Sequence, residues 1–319
     1  MFFALSFSRK GILSFGHIRR IIMKDYLVRA VSEDGTLRAF GCISTQSVEV
    51  ARGYHNTSPV ATAALGRLLT AAAMMGAMLK GDKDLVTLQM TGSGPIGRVL
   101  AVSGPDCKVK GYVGNGNVDL ELNSAGKLDV GSAIGTDGFL TVITDLGLKE
   151  PYIGKIPLVT GEVGDDLVQY FAVSEQVPSV VGLGVLIDKD LSVKNSGGFI
   201  VQVMPGATDE AIDRLEENLK NITSVTTMLE SGMNIEEIIG VAMNGFDFHF
   251  TDKTDVSYSC NCSRERVRRV LSSVGESELR AIIEEDGKAE MCCHFCPEKY
   301  MFDKDELEQI LSEVTNKND

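Results

Sequence analysis

The chain has 319 residues, of which 44% are hydrophobic and 24% are charged, and its formal net charge at pH 7 is −13. This length allows one large domain with a substantial apolar core and a second, smaller unit. The acidic balance argues against broad, phosphate-driven binding of nucleic acid, which needs a basic surface, although a local basic patch is compatible with it.

The first 22 residues differ from the rest of the chain because they are apolar and basic and contain no acid. Basic pairs at positions 9–10 and 19–20 interrupt the apolar run that a secretory signal needs, and no small-residue cleavage site follows. We therefore interpret residues 1–22 as a mis-assigned or non-native extension ahead of a start at Met23, with a transit peptide as the alternative.

Residues 23–206 have the pattern of one α+β domain. Alternating residues on both sides of Glu33-Asp34-Gly35 predict a β-hairpin. Short β-rich runs, one helix and two further strands are then predicted, in that order, at 85–159, 162–174, 180–187 and 198–204.

Within this domain, Ser58 followed by Pro59 predicts the start of a helix that runs to about Lys80. Its apolar stretch, residues 59–79, is long enough to span a bilayer. Arg67 lies near the middle of the stretch, where a charge is costly in lipid. We therefore predict a buried core helix and no membrane association.

Residues 207–254 are interpreted as an amphipathic helical linker. Apolar residues recur at helical spacing in two stripes, which predicts helices that must dock their apolar faces on another part of the chain. The two stripes consist of Ile212, Leu215, Leu219 and Ile222, and of Ile235, Ile238 and Ile239.

Residues 255–319 form a small C-terminal unit. Asp303 and Glu306 have the spacing of a capping box at the start of its last helix, and Phe302 and Leu307 are placed to make a hydrophobic staple. The run Arg264–Arg269 would bring cations near the cysteines if it is helical, but on its own it is more typical of a solvated helix face.

Seven cysteines are present, and five of them are crowded into this unit. An odd, crowded set is typical of metal binding in a reducing compartment and not of a secreted disulfide framework. The segments Cys260-Asn261-Cys262 and Cys293-His294-Phe295-Cys296 contain two close pairs that can supply four thiolates to one tetrahedral Zn²⁺. The predicted metal ligands are Cys260, Cys262, Cys293 and Cys296, with His294 near the ligands and not among them.

Zinc would matter more to this unit than to the large domain, because about sixty residues make a thin core. A structural zinc site can contribute about 10–16 kcal/mol to folding. Spacing alone nevertheless favours a structural zinc site that never opens. It predicts a metal site and does not predict a switch.

The sequence contains three other features that could indicate a function: a glycine-rich run, two isolated cysteines and Cys292. Gly92–Gly97 matches G-x-G-x-x-G, but the strand-like run Arg98–Val102 follows where a dinucleotide site needs a helix, so dinucleotide binding is rejected. Cys42 and Cys107 lie in strand-like runs and are predicted to be small core residues. The role of Cys292 stays open between a spare thiol, a rival ligand and an off-pathway disulfide partner.

From Met23 to about Val314, the chain resembles the heat shock protein 33 family, which are redox-regulated holdase chaperones. The two cysteine pairs, with Phe295 and Tyr300, match the metal motif of that family. The departures are the leading 22 residues and Cys292. The matching core motifs, in chain order, are Ser58-Pro59, Ala64-Leu65-Gly66-Arg67, Gly94-Pro95-Ile96-Gly97, Gly111-Tyr112-Val113, Tyr170-Phe171, Ser174-Glu175-Gln176, Gly197-Gly198-Phe199 and Met204-Pro205-Gly206.

This resemblance implies an α+β fold with a large core domain, a helical linker and a small zinc-binding redox-switch domain. It implies that the reduced cysteines hold Zn²⁺ while the chaperone is inactive. Oxidants such as peroxide or hypochlorous acid would form disulfides, by resemblance Cys260–Cys262 and Cys293–Cys296, with loss of zinc and of order in the linker and C-terminal unit. It further implies a non-enzymatic, ATP-independent, cytoplasmic protein that binds unfolding clients and forms a homodimer when active.

Two other classes of function are kept as alternatives. A zinc-ribbon module associated with nucleic acid or the ribosome is supported by Arg264–Arg269 and opposed by the net charge of −13. A thiol oxidoreductase would use Cys293 and Cys296, but that class usually places the pair at a helix N-terminus in a βαβ unit, which the sequence does not predict.

Overall fold

The computed structural model describes residues 24–318, so the predicted extension at residues 1–22 lies outside the described residues. The strands are β1 (Tyr26–Ser32), β2 (Leu37–Ile43), β3 (Leu85–Thr91), β4 (Arg98–Ser103), β5 (Lys108–Val113), β6 (Phe139–Asp145), β7 (Tyr152–Pro157), β8 (Ser179–Ile187), β9 (Val193–Val203), β10 (Phe248–Asp255), β11 (Ser257–Tyr258), β12 (Lys288–Cys292) and β13 (Lys299–Asp303). The helices are α1 (Thr45–His55), α2 (Pro59–Gly76), α3 (Val130–Ile134), α4 (Val163–Tyr170), α5 (Asp209–Leu219), α6 (Val225–Glu230), α7 (Ile235–Ala242), α8 (Arg264–Ser272), α9 (Glu276–Glu285) and α10 (Lys304–Asn318).

The strands of the large domain form two sheets. Sheet A is antiparallel with the strand order β10-β1-β2-β9-β8, and sheet B has the order β11-β5-β4-β3-β6-β7. Only the short pair β11–β5 is parallel among the described strands. Helices pack on sheets whose pairing is otherwise antiparallel, so the predicted α+β class is confirmed.

Helix α2 is the central element because it packs against strands of both sheets. All of its residues except Pro59 and Arg67 are buried. Ser58 Oγ accepts a hydrogen bond from the Ala61 amide at 3.4 Å, which confirms the predicted helix start. Within the described chain, α2 is the one helix long and apolar enough to cross a membrane, but 89% of that stretch is buried inside the protein, as expected of a core helix.

The predicted end of this helix at about Lys80 is wrong, because α2 ends at Gly76. The chain then tightens: the amides of Met78 and Leu79 donate to carbonyls three residues back, at 3.1 and 3.0 Å. A Cβ atom added at Gly76 would lie 2.6 Å from the carbonyl oxygen of Gly104. The loop that contains Gly104 therefore crosses the helix where its regular turns stop.

Most other elements of the core appear where the sequence predicts them. The β1–β2 hairpin turns at Gly35, whose φ of +70° suits glycine. Strand β4 follows the glycine-rich loop, and the Gly94 amide in that loop donates to the Ile134 carbonyl at 2.8 Å. The predicted helix at 162–174 is found as α4, continued by a π-helical turn at Phe171–Glu175.

The segment after β9 contains α5, α6 and α7, but it ends in a strand, so the prediction of helix throughout 207–254 is wrong at its end. Strand β10 pairs along the whole of β1, from Tyr26 opposite Asp255 to Ser32 opposite Phe248, with a bulge between Arg29 and Ala30. This pairing gives the outer edge of β1 hydrogen-bond partners that a helix could not supply. The proposed boundaries of the core domain, linker and C-terminal domain stay predictions.

The three middle strands of sheet A, β1, β2 and β9, have buried side chains on both faces. Successive side chains of each strand point to opposite sides of the sheet. Leu27, Phe40 and Ile200 face the core around α2. The opposite side, which we call the docked face, is covered by α5, α6 and α7. The docked face consists of Val28, Ala30, Leu37, Ala39, Ile43, Phe199 and Val201.

Helix α7 packs tightly on the docked face. Ile235, Ile238 and Ile239 are fully buried, which confirms that this apolar stripe docks on another part of the chain. The contact depends on Gly41 of β2, where an added Cβ would lie 2.6 Å from side-chain atoms of both Ile235 and Ile239. An Asn234–Glu237 capping box starts the helix.

The C-terminal unit has its own small core under the β12–β13 hairpin. The predicted capping box is confirmed: the Glu306 amide donates to Asp303 Oδ1 at 2.9 Å, and the Asp303 amide donates to Glu306 Oε2 at 3.2 Å. Phe302 and Leu307, predicted to form a staple, are both buried in this core. Its buried residues are Leu271, Leu279, Ile283, Phe302, Leu307 and Ile310.

Candidate metal centre

The four predicted ligands come together from two separate parts of the C-terminal unit. Cys260 and Cys262 lie between β11 and α8, and the Ser263 hydroxyl caps that helix. Cys293 and Cys296 lie in the turn between β12 and β13. The four Sγ atoms all lie within 4.8 Å of one another. The cluster is thus a group of thiols that can hold one metal ion.

Distances between the sulfur atoms fit a tetrahedral site. The Sγ atoms of Cys260 and Cys293 are 3.6 Å apart, and those of Cys262 and Cys296 are 3.5 Å apart. Four sulfurs bound to Zn²⁺ at about 2.3 Å would lie about 3.8 Å from one another. The donor set and its spacing therefore fit the group that the sequence predicts.

The other three cysteines lie outside the cluster. Cys42 and Cys107 are buried, as predicted for small core residues. Cys292 is exposed, and its Sγ is 3.5 Å from Glu290 Oε1. Cys292 therefore gives a natural control for any experiment on the four clustered thiols.

Several hydrogen bonds hold the sulfurs in place. Tyr300 donates its hydroxyl to Cys262 Sγ at 3.1 Å, and the Phe295 amide donates to Cys293 Sγ at 3.4 Å. The Cys293 amide in turn donates to the Glu298 carbonyl at 3.0 Å, which closes the turn. Groups of this kind orient metal ligands and stabilise the thiolate form.

The thiols differ in their tendency to ionise. Burial raises the pKa of Cys260 and also that of Cys296. Burial opposes ionisation of Cys262 as well, but hydrogen bonds from Tyr300 and from neighbouring thiols outweigh it and lower the Cys262 pKa. Burial therefore disfavours four thiolates at this site without a cation, and a bound dication supplies the missing charge.

His294 is placed beside the cluster, as predicted, and not within it. Its ring stacks on the ring of Tyr112 in β5, with centroids 5.5 Å apart. The neighbouring Phe295 ring packs edge-on against the same tyrosine at 5.6 Å. The cysteine turn therefore rests on the core domain.

The sequence does not predict which residues of the sheet B strands contact this turn. Lys110 of β5 donates to Asn261 Oδ1 at 2.6 Å and lies over the Phe295 ring at 4.9 Å. Tyr258 donates its hydroxyl to the Phe295 carbonyl at 2.5 Å. Lys110 and Asn261 are 151 positions apart, so no local pattern could reveal their contact. The motif Gly111-Tyr112-Val113 was the one available signal.

The basic run after the first cysteine pair is helical, as α8. Arg264 pairs with Glu306 at 2.6 Å, and Arg268 pairs with Glu313 at 2.6 Å. Arg266 donates to the Asn261 carbonyl at 3.1 Å. These arginines tie α8 to α10 and to the cysteine segment, so much of the cationic surface that a nucleic-acid module would use is already paired.

The protein thus has two parts: a unit with a four-cysteine centre, and a core in which helices cover the docked face of sheet A. Comparison with known proteins defines its class. The model of the Hsp33 protein family matches residues 25–303. A 33 kDa chaperonin from Clostridium botulinum (strain 657 / Type Ba4) is 49% identical over 294 residues, covering 92% of this chain and 99% of the relative. A 33 kDa chaperonin from Clostridium tetani is 48% identical over 294 residues, covering 92% and 100%.

A solved structure agrees with this result. The crystal structure of the 33 kDa chaperonin (heat shock protein 33 homolog) from Thermotoga maritima has a TM-score of 0.85 and 36% sequence identity to this chain. The similarity covers 92% of this chain and all of that one. The chain belongs to the Hsp33 family of chaperones, as the resemblance in its sequence indicated.

Proposed function

We propose that this protein is a redox-regulated holdase, an ATP-independent, non-enzymatic chaperone of the cytoplasm that binds unfolding proteins under oxidative stress. In the reduced form, Cys260, Cys262, Cys293 and Cys296 would hold one Zn²⁺. The ion would supply the positive charge and tetrahedral geometry that keep the C-terminal unit folded.

One observation carries this proposal: the segment between the core and the cysteine cluster covers an apolar sheet face. Helices α5 to α7 bury the docked face, and β10 and β11 continue the same segment directly to Cys260. Loss of order in the C-terminal unit would therefore act on the chain that covers this face. Release of the segment would expose apolar area on the sheet and on the helices, which suits non-directional binding of unfolded clients.

The chemical step is oxidation of the clustered thiolates. Two thiolates give two electrons to one molecule of hydrogen peroxide, which forms one S–S bond and releases two hydroxide ions. Two such steps convert the four ligands into two disulfides, which we assign by family resemblance to Cys260–Cys262 and Cys293–Cys296. The cluster then has no thiolate left to bind the ion, and the small unit keeps only its thin core.

The other two functions receive less support. Arg264 and Arg268 are paired with acids of α10, which weakens the nucleic-acid alternative. Cys293 and Cys296 lie in a β-hairpin turn and not at a helix N-terminus, which weakens the oxidoreductase alternative. A homodimer in the active state remains part of the proposal.

The test starts from reduced, zinc-loaded protein with a measured metal content. Peroxide is added with mild heat, and zinc release, aggregation of an unfolding client and molecular mass are followed together. We expect one zinc per chain, its release in step with suppression of aggregation, and a shift to a dimer. Dithiothreitol with zinc should reverse all three changes.

The matched control is Cys292→Ser, which changes a neighbouring thiol outside the cluster and should behave as the parent protein does. Equal suppression of aggregation by reduced and oxidised protein would refute redox regulation. Salt-sensitive RNA binding would support the nucleic-acid alternative instead, and catalytic turnover of a disulfide substrate would support the oxidoreductase.

A further inference from the structure

Tyr258 occupies an unusual position between the cysteine cluster and the core. It belongs to β11, which pairs in parallel with β5, and it lies two residues before Cys260. Its hydroxyl is 2.8 Å from the Gly111 carbonyl of β5 and 2.5 Å from the Phe295 carbonyl of the turn that contains Cys293 and Cys296. One side-chain oxygen therefore touches both the core sheet and the metal-binding turn.

Two nitrogen atoms also reach this oxygen. The Gly111 amide donates to it at 3.3 Å, and the His55 Nε2 atom lies 3.3 Å from it. A phenol has one proton to donate and can accept two hydrogen bonds, so the two carbonyls share a single proton. A phenol keeps its proton at neutral pH, so the hydroxyl can donate one hydrogen bond. The four contacts thus form one small network with no spare donor.

Side chains of β5 next to Gly111 contact the same turn. Lys110 lies over the Phe295 ring, and Tyr112 packs against the rings of both His294 and Phe295. Three consecutive residues of one core strand thus support the turn that carries half of the cysteine cluster. The Tyr258 hydroxyl is the polar centre of this contact.

We propose that Tyr258 is a positioning residue whose hydroxyl holds the Cys293–Cys296 turn on β5 and thereby slows the loss of metal from the cluster. The proposal rests on the zinc site proposed above. For Cys293 or Cys296 to move out of the cluster, the turn must shift, and the Phe295 carbonyl must then leave the hydroxyl. Breaking a buried hydrogen bond opposes this movement.

The test compares Tyr258→Phe with Tyr54→Phe in the full-length, reduced, zinc-loaded protein. Both changes remove one phenolic oxygen, and the two rings pack edge-on with centroids 5.5 Å apart. Tyr54 is 45% exposed, and its hydroxyl makes no contact with the turn, so it is the matched control. The first readout is the rate at which zinc passes to a chromogenic chelator without any oxidant.

We expect Tyr258→Phe to release zinc about tenfold faster, which corresponds to about 1.4 kcal/mol, and Tyr54→Phe to match the parent protein. A second readout, backbone hydrogen exchange, should become faster at residues 293–298 and stay unchanged in α2. This pattern separates loss of the turn contact from general destabilisation, which would speed exchange throughout the core.

Equal rates of zinc release in Tyr258→Phe and the parent would overturn the proposal, and so would faster exchange spread evenly over the core. The proposed function fails separately. If the parent protein binds no zinc, or if its chaperone activity ignores oxidation, the holdase proposal is wrong. The role of Tyr258 is then still decided by exchange at residues 293–298.

Discussion

The core domain and the C-terminal unit are stabilised by different means, although both are built from helices packed on strands. The core surrounds α2 with two sheets and contains a large continuous apolar cluster. Six buried residues make up the centre of the C-terminal unit, and the cysteine cluster stands at its margin. We expect the core to fold on burial of apolar surface alone, whereas the small unit would need the proposed metal.

This difference indicates how one chain can combine a stable core with a covering segment whose docking depends on the C-terminal unit. The docked face belongs to the core, but its cover, α5 to α7, is joined through β10 and β11 to the unit that contains the cysteine cluster. Under the proposed function, a chemical change at four sulfurs would alter the surface of a domain that contains none of them. The difference in stability between the two regions can be measured.

The largest effect is expected from Cys296→Ser, which removes one metal ligand. Metal binding of this kind contributes about 10–16 kcal/mol, so the C-terminal unit should lose its fold while the core keeps its melting temperature. Hydrogen exchange should show loss of protection across residues 260–310 and full protection in α2. Cys292→Ser is the control, and an ordered C-terminal unit in metal-free Cys296→Ser would contradict the contrast.

The next effect concerns the apolar cores themselves. Phe302→Ala and Leu68→Ala both empty fully buried sites, at costs of about 3–5 and 2–5 kcal/mol respectively. In zinc-loaded protein, the first should remove exchange protection from part of the small unit, while the second should only lower the melting temperature of the core. Met301→Ala, next to Phe302 but 46% exposed, should change little. Comparable residual order in both regions would show that their stabilities are not so different.

A change at the docked face should release the cover without any oxidant. Gly41→Ala places a Cβ atom 2.6 Å from Ile235 and Ile239, at a cost of about 1–3 kcal/mol for overpacking. We expect faster hydrogen exchange in α7 and binding of an apolar dye by reduced protein. Gly240→Ala, whose added Cβ would meet nothing within 4 Å, should leave docking unchanged or strengthen it. Dye binding by Gly240→Ala alone would reverse our assignment.

The smallest effect is a pH dependence of docking through Glu236 of α7. This carboxylate accepts from the Tyr26 hydroxyl at 2.7 Å and pairs with Lys253 at 3.1 Å. Burial opposes its ionisation, but these partners outweigh burial and lower the Glu236 pKa below its ordinary value of 4.5. The charged form therefore stabilises docking above pH 4.5, and this contribution is lost as the pH falls through the lowered pKa.

Glu236→Gln should accordingly weaken docking by about 1 kcal/mol at pH 7, measured by exchange in α7, and the difference from the parent should close in acid. Tyr26→Phe removes the main donor, so the double variant should lose less than the sum of the two single changes. A difference that stays constant from pH 7 to below the lowered pKa of Glu236 would show that the charge of Glu236 does not contribute.

Local chemistry made much of this molecule predictable. Glycine at the β1–β2 turn, the Ser58-Pro59 helix start and the Asp303–Glu306 capping box are each decided within a few residues. The four clustered cysteines could be chosen from seven because metal ligands in small units come in close pairs. In each of these cases, the residues that determine the feature lie within a few positions of one another in the sequence.

Features decided by distant residues could not be predicted in the same way. The carbonyl of Gly104 approaches α2 where the helix ends, and β10 pairs with the outer edge of β1, and both contacts join distant parts of the chain. The contacts of Tyr258 with His55 and Gly111 join residues 203 and 147 positions apart. Apolar spacing correctly indicated that the linker docks, but the identity of the docked face required the fold.

The bulge at Thr251 of β10, opposite Arg29 and Ala30 of β1, has a consequence for recovery after stress. A plain two-strand ladder can re-form one residue out of step, which would turn Phe248 and its alternating neighbours to the wrong side. The extra residue at the bulge breaks this translational symmetry, so only one alignment of β10 satisfies the hydrogen bonds on both sides of it. A chain that has been released and is then reduced again would therefore return to its original alignment and seat the three helices over the same side chains as before.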